Sequence, residues 1–245
     1  MSTFVLVPGF WLGAWAWREV AGPLRAAGHT VHPLTLTGLA DRAHLGGPAT
    51  DLDTHVEDIV ATLVHEDLRD VVLVAHSGAG APVTGAADRV PERVGKVVYL
   101  DSGPLAGGTR PLDQYPPDVQ KIIADHLSDG WRYRPLSFEL HESLGTSTEG
   151  LDQARRSRIA ARMTPQPYGA LTRPLKLTGG GEAARTPKAL VSCSYPIGQV
   201  KEMIDQGHPY FAALAGPEWE LHELPTGHWP MFSRPADTAR LLGAL

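Results

Sequence analysis

Cysteine is nearly absent. Cys193 is the single one among 245 residues, so no internal disulfide can form and a reducing compartment is expected. An excess of charge of one sign is also missing: the net charge is −5 with no basic block, which argues against nucleic acid or an anionic membrane as the main partner. No apolar run approaches the roughly 20 residues of a bilayer span. The opening Met1-Ser-Thr-Phe-Val-Leu-Val-Pro8 is apolar but lacks the cationic start of a secretion signal, and it reads as a first core strand. Metal-ligand spacing is missing too, since the eleven histidines contain no H-E-x-x-H pattern. Neither a metal nor a cofactor is expected. These absences leave a cytoplasmic globular protein whose partner is a small molecule; its oligomeric state, a homodimer included, stays open.

What is present is a large apolar fraction, 42%, enough for a sizeable core in one α/β domain. Strand-like and helical patterns alternate from the start. Residues 4–7 read as a strand, and 12–27 as a helix that stops before Gly28. Residues 30–36 form a second strand, which Pro33 confines to an edge. Over 51–67, Asp51 is a cap candidate and Leu52, Val56, Ile59, Val60 and Leu63 share one helical face. A strand at 71–76, a helix at 78–89 and a strand at 96–100 come next. This alternation predicts an open, mostly parallel sheet of about six strands with helices on both faces. It lapses over 103–186, where prolines and glycines are frequent, helices are expected near 117–127 and 149–163, and no buried strand is evident. It resumes with a strand at 188–193, a helix at 200–214, a strand at 219–224 and a helix at 235–245. The expectation is a core of residues 1–102 and 187–245 with an inserted helical cap, 103–186.

The chemistry concentrates in Val71-Val-Leu-Val-Ala-His-Ser77-Gly-Ala-Gly80. A strand buried on both faces ends at a serine between small residues, and a helix begins at once. That is the arrangement of a nucleophile elbow, which lifts a hydroxyl above the sheet edge. Ala75 and Ala79 stand where glycines are usual. A serine nucleophile needs a general base, and His228, in a loop past the last strand, is the best placed. The third member must orient the imidazole. Asp101, directly after the strand that succeeds the elbow, is the first candidate and Asp205 its rival. An oxyanion hole needs two backbone N–H groups, assigned to Gly78 and to Phe10 in the glycine-bearing loop after the first strand. Trp11, Trp131 and Trp229, with Phe10, Tyr133 and Tyr168, are candidates to line an apolar cleft suited to a neutral or aromatic acyl substrate. His76 reads as packing behind the elbow, and Cys193 as a buried strand residue.

Four segments carry a resemblance: Pro8-Gly-Phe-Trp-Leu-Gly-Ala-Trp15, Leu36-Thr-Gly-Leu-Ala-Asp-Arg42, the Ser77 elbow and Gly227-His228. Nearly end to end, the chain resembles the α/β-hydrolase superfamily, and within it the small esterases that include plant methyl esterases of the salicylate-binding type and hydroxynitrile lyases. The resemblance implies an α/β-hydrolase fold and a Ser-His-Asp triad. Two positions depart from that branch. Its acid normally comes after the penultimate strand, where this chain has Ser194-Tyr195-Pro196; some haloalkane dehalogenases place the acid where Asp101 lies. The hydroxynitrile lyases carry lysine after the catalytic histidine, where this chain has Trp229. The leading reading is hydrolysis of carboxylic esters through an acyl-enzyme. A lyase, cyclase or lactone-forming enzyme with the same triad, and an inactive ligand-binding relative, are the alternatives.

Overall fold

The computed structural model describes residues 1–178, 185–208 and 211–245. Six strands, β1 (Thr3–Val7), β2 (Thr30–Pro33), β3 (Val71–His76), β4 (Val94–Leu100), β8 (Lys188–Ser192) and β9 (Trp219–Glu223), form one sheet in the order β2-β1-β3-β4-β8-β9. Every pairing within it is parallel. The period of two along each strand divides the core in two. Phe4, Leu6, Val72 and Val74 pack on one face with Trp17, Val20, Leu24 and Leu242, whereas Val5, Val7, Leu73 and Ala75 pack on the other with Ile59, Leu63 and Val83. Helices α1 (Arg18–Ala26), α9 (Pro230–Ser233) and α10 (Pro235–Ala244) therefore cover the first face, and α2 (Leu52–His65) and α3 (Gly80–Arg89) the second. The central strand β3 is buried along its whole length, which is why it reads as an unbroken apolar run. Pro33 lies in β2, at the edge. Asp51 caps α2 through a reciprocal bond with Thr54.

Some boundaries differ from the sequence expectation. The helix expected over 12–27 begins as a short 3-10 turn, Ala14–Trp17, before α1. Leu12 and Gly13 stay in the loop, where a side chain on Gly13 would meet Ala40 Cβ at 2.5 Å. The helix expected over 200–214 starts earlier, at α8 (Ile197–Asp205), with Pro196 as its cap. A 3-10 turn, Ala212–Leu214, comes later, and residues 209–210 lie outside the described residues.

Between β4 and β8 the chain leaves the sheet. It forms α4 (Pro117–Asp125), α5 (Phe138–Ser143), α6 (Gln153–Ala160) and the short α7 (Gly169–Thr172). It also forms a three-stranded antiparallel sheet that the sequence did not suggest: β5 (Leu127–Ser128), β6 (Arg132–Tyr133) and β7 (Gln166–Pro167). Two-residue strands are too short to carry an alternating pattern. Trp11, Leu112, Ile123, Tyr133 and Leu171 make a separate apolar cluster that joins this segment to the loop after β1. Residues 179–184 of the expected cap lie outside the described residues.

Candidate active site

In parallel sheets, ligands sit beyond the carboxyl ends of the strands, and here five strand ends converge. Ser77 comes directly after β3 and Asp101 directly after β4. His76 is paired in register with Leu100, so the two residues leave the sheet side by side. Both turn with positive φ, 52° at Ser77 and 45° at Asp101, a conformation that costs a non-glycine residue energy and that surrounding structure must enforce. At Ser77 it throws the side chain off the strand's end into the gap before α3. The packing leaves no spare room: a side chain on Gly9 would sit 2.8 Å from Ser77 Cβ, and one on Gly78 would sit 2.5 Å from the Phe10 ring. Ser102 Oγ donates to the Ser77 carbonyl at 2.5 Å.

The loop after β9 brings His228 to the same place. Its backbone is held by the inserted segment: His228 N–H donates to Ser147 O at 2.8 Å and Gly227 N–H to Glu149 O at 3.2 Å. A side chain at Gly227 would meet Glu149 and Ser147 backbone atoms within 2.8 Å, so glycine alone permits this approach. His228 Nδ1 lies 2.6 Å from Asp101 Oδ2, and Nε2 lies 2.7 Å from Ser77 Oγ. A carboxylate only accepts, so Nδ1 carries the hydrogen and Nε2 is free to accept the serine proton.

Asp101 is buried and well supplied with donors. Cys193 N–H and Ser194 N–H reach Oδ1 at 2.9 and 3.0 Å, and Ser194 Oγ reaches Oδ2 at 2.7 Å. Burial alone would raise its pKa, yet the hydrogen bonds from His228 and Ser194 and the attraction of His228 outweigh it and hold the carboxyl at about 2. Asp205, the rival acid, is exposed at the end of α8, and the carboxylate bonded to His228 is that of Asp101. Burial pushes the Cys193 thiol up, so it stays protonated and inert.

Phe10 and Gly78 both border a small pocket that opens at Ser77, together with Ser102, Gln114 and Tyr115. The Gly78 N–H belongs to the first turn after β3, where no carbonyl of its own helix is in reach. The three tryptophans expected to line the cleft do not border this pocket. Trp11 is buried, and its Nε1 donates to Tyr133 O at 3.1 Å. Trp229 is buried edge-on against Phe138, His141 and His228. Trp131 is half-buried beneath the Arg132 guanidinium. Trp11 and Trp229 each fill a place in an apolar cluster, and burial there stabilises more than exposure in a cleft. Sequence reasoning missed Ser194 and Ser102, although both lie just past strands at this edge, and it missed Gln114 and Tyr115, which no local pattern marks. Among the described residues, no group of three His, Cys, Asp or Glu side chains is placed to hold a metal ion.

The chain is similar to known proteins along nearly its whole length. A model of the alpha/beta hydrolase family matches residues 4–241. The carbendazim hydrolyzing esterase of Nocardioides sp. (strain SG-4G) is 31% identical over 249 residues, covering the whole of both chains. Methylesterase 7 of Arabidopsis thaliana is 27% identical, covering 98% of this chain and 94% of its own. Among solved structures, an extracellular alpha/beta-hydrolase from a Paenibacillus species superposes with a TM-score of 0.82 at 23% identity, covering 99% of this chain and 98% of its own. It is described as sharing structural and functional homology with tobacco salicylic acid binding protein 2.

Proposed function

The chain belongs to the alpha/beta hydrolase family and is a carboxylic ester hydrolase, and we propose that it works through an acyl-enzyme formed on Ser77. The observation that carries this reading is the unbroken chain from Ser77 Oγ to His228 Nε2 and from His228 Nδ1 to Asp101 Oδ2, at 2.7 and 2.6 Å. Ser77 attacks the ester carbonyl as His228 takes its proton, and Asp101 keeps Nδ1–H in place and stabilises the imidazolium. The charge that develops on the carbonyl oxygen is met by the N–H groups of Phe10 and Gly78. The C–O bond to the alcohol then breaks, and His228 returns the proton to the leaving oxygen. Water, activated by the same histidine, cleaves the acyl–serine bond and regenerates Ser77.

Residues 103–186 act in this reading as a cap, with Gln114 and Tyr115 reaching the pocket at Ser77. No charged side chain borders that pocket among the described residues, which supports a neutral ester, and the methylesterase relatives support a small leaving alcohol. An inactive binding protein is disfavoured, because a complete triad with two strained φ angles is costly to keep without chemistry. The test is turnover of p-nitrophenyl acetate by Ser77→Ala. The expected result is a loss of at least about 10³-fold; turnover at the parent rate overturns the reading.

A further inference from the structure

His76, the last residue of β3, is an imidazole that the reaction scheme leaves unused. It is 1% exposed, yet both ring nitrogens are bonded, and to two different loops. Nδ1 faces the Gly9 N–H at 3.3 Å, and Nε2 faces the His228 carbonyl oxygen at 2.7 Å. An amide N–H can only donate and a carbonyl can only accept. Nδ1 is therefore bare and Nε2 carries the hydrogen, so the ring is neutral and held in one tautomer. Protonation would set a second hydrogen against the Gly9 N–H. Burial and the nearness of His228 both oppose it, and they push the pKa down to about 3. Trp17 packs edge-on against the ring at 6.4 Å.

The two bonded residues are the neighbours of two reacting groups. Gly9 precedes Phe10, whose N–H is assigned to the oxyanion, and the His228 carbonyl belongs to the base itself. His76 is in turn joined covalently to Ser77. We propose that His76 is a positioning residue whose two hydrogen bonds tie the oxyanion loop and the base loop to the nucleophile, setting Phe10 N–H and His228 Nε2 against Ser77 Oγ. This rests on the reading of Ser77 as the nucleophile of an ester hydrolase. A ring that only filled core space would give the same burial, but it would not need polar atoms pointing at both loops, and a phenyl ring would serve as well.

The test uses p-nitrophenyl acetate with three variants beside the parent. His76→Phe keeps the ring and removes both bonds, and it should lower kcat about 100-fold with KM unchanged, as expected when reacting groups shift by about 1 Å. His76→Gln can place its amide near Nε2 and restore the shorter bond to His228 O, so it should recover part of that loss. Ser77→Ala separates the two claims. If Ser77→Ala is inactive while His76→Phe keeps the parent kcat, this proposal falls and the nucleophile stands. If Ser77→Ala turns over at the parent rate, the underlying reading falls. Nitrogen-15 NMR of the unaltered protein decides the matter even where His76→Phe fails to fold. The His76 ring should remain in the Nε2–H form from about pH 5 to 8; an Nδ1–H or charged ring in that range overturns the proposal.

Discussion

Asp101 holds its charge by accepting four hydrogen bonds, from Cys193 N–H, Ser194 N–H, Ser194 Oγ and His228 Nδ1. Three of them come from the loop after β8, so that loop steadies the carboxylate that follows β4. Replacing Asp101 with asparagine keeps the shape but offers His228 Nδ1 an amide that can also donate, which favours the wrong tautomer. Asp101→Asn should lower kcat by about 10³–10⁴-fold, whereas Asp205→Asn should match the parent. Kinetics on a simple ester check this, and equal activity of the two variants would count against Asp101. The meeting of these side chains was legible in the sequence because Ser77, Asp101 and His228 each lie just past a strand, and a parallel sheet brings the carboxyl ends of its strands to one edge. The pocket was not legible. An aromatic residue carries the same apolar pattern whether it seals a cluster, as Trp11 and Trp229 do, or faces a ligand.

Among the elements, the tight joint is between α3 and the loop after β4. A side chain on Gly80 would collide with the Gly103 carbonyl oxygen and sit 2.7 Å from Ser102 Oγ. A backbone carbonyl cannot swing aside as a flexible side chain can. Gly80→Ala should therefore destabilise the protein by about 1–3 kcal/mol and disturb the Ser102 Oγ bond to the Ser77 carbonyl. A urea midpoint equal to the parent's would show that the joint is looser than these distances imply. The elements that the sequence announced are those with enough length to show a period: β3 with its unbroken apolar run, and α2 with its cap and its apolar face. Those it hid are β5, β6 and β7, at two residues each: β5 and β6 pair across a tight turn, and β6 meets β7 only through a contact made far along the chain. The 3-10 turn over Ala14–Trp17 was hidden for another reason, since its apolar spacing continues into α1 and only the backbone separates them.

For the whole molecule, the buried imidazoles set the response to acid. Burial lowers the pKa of His76 to about 3, that of His141 to about 4, and that of His55 below the usual range. The unfolded chain takes up these protons near pH 6.5, and the folded chain only at lower pH. Their full contribution to stability is present above about pH 6.5 and is lost as pH falls, by up to about 1.4 kcal/mol per pH unit for each group. Asp101 adds a further loss only below about pH 4, because its folded pKa lies under the unfolded value of 3.8. The urea midpoint should therefore fall between about pH 7 and 5, and His141→Phe should make that fall shallower. Equal midpoints at both pH values would contradict this. No helix among the described residues is long and apolar enough to cross a membrane. The claim that Ser77 is acylated during turnover is open to rapid-quench mass spectrometry of the parent enzyme mixed with p-nitrophenyl acetate. A transient acetyl adduct is expected on the peptide that contains Ser77, formed and lost within the first turnovers. An enzyme that releases acetate with no adduct on that peptide, or with the adduct on another residue, would contradict the claim.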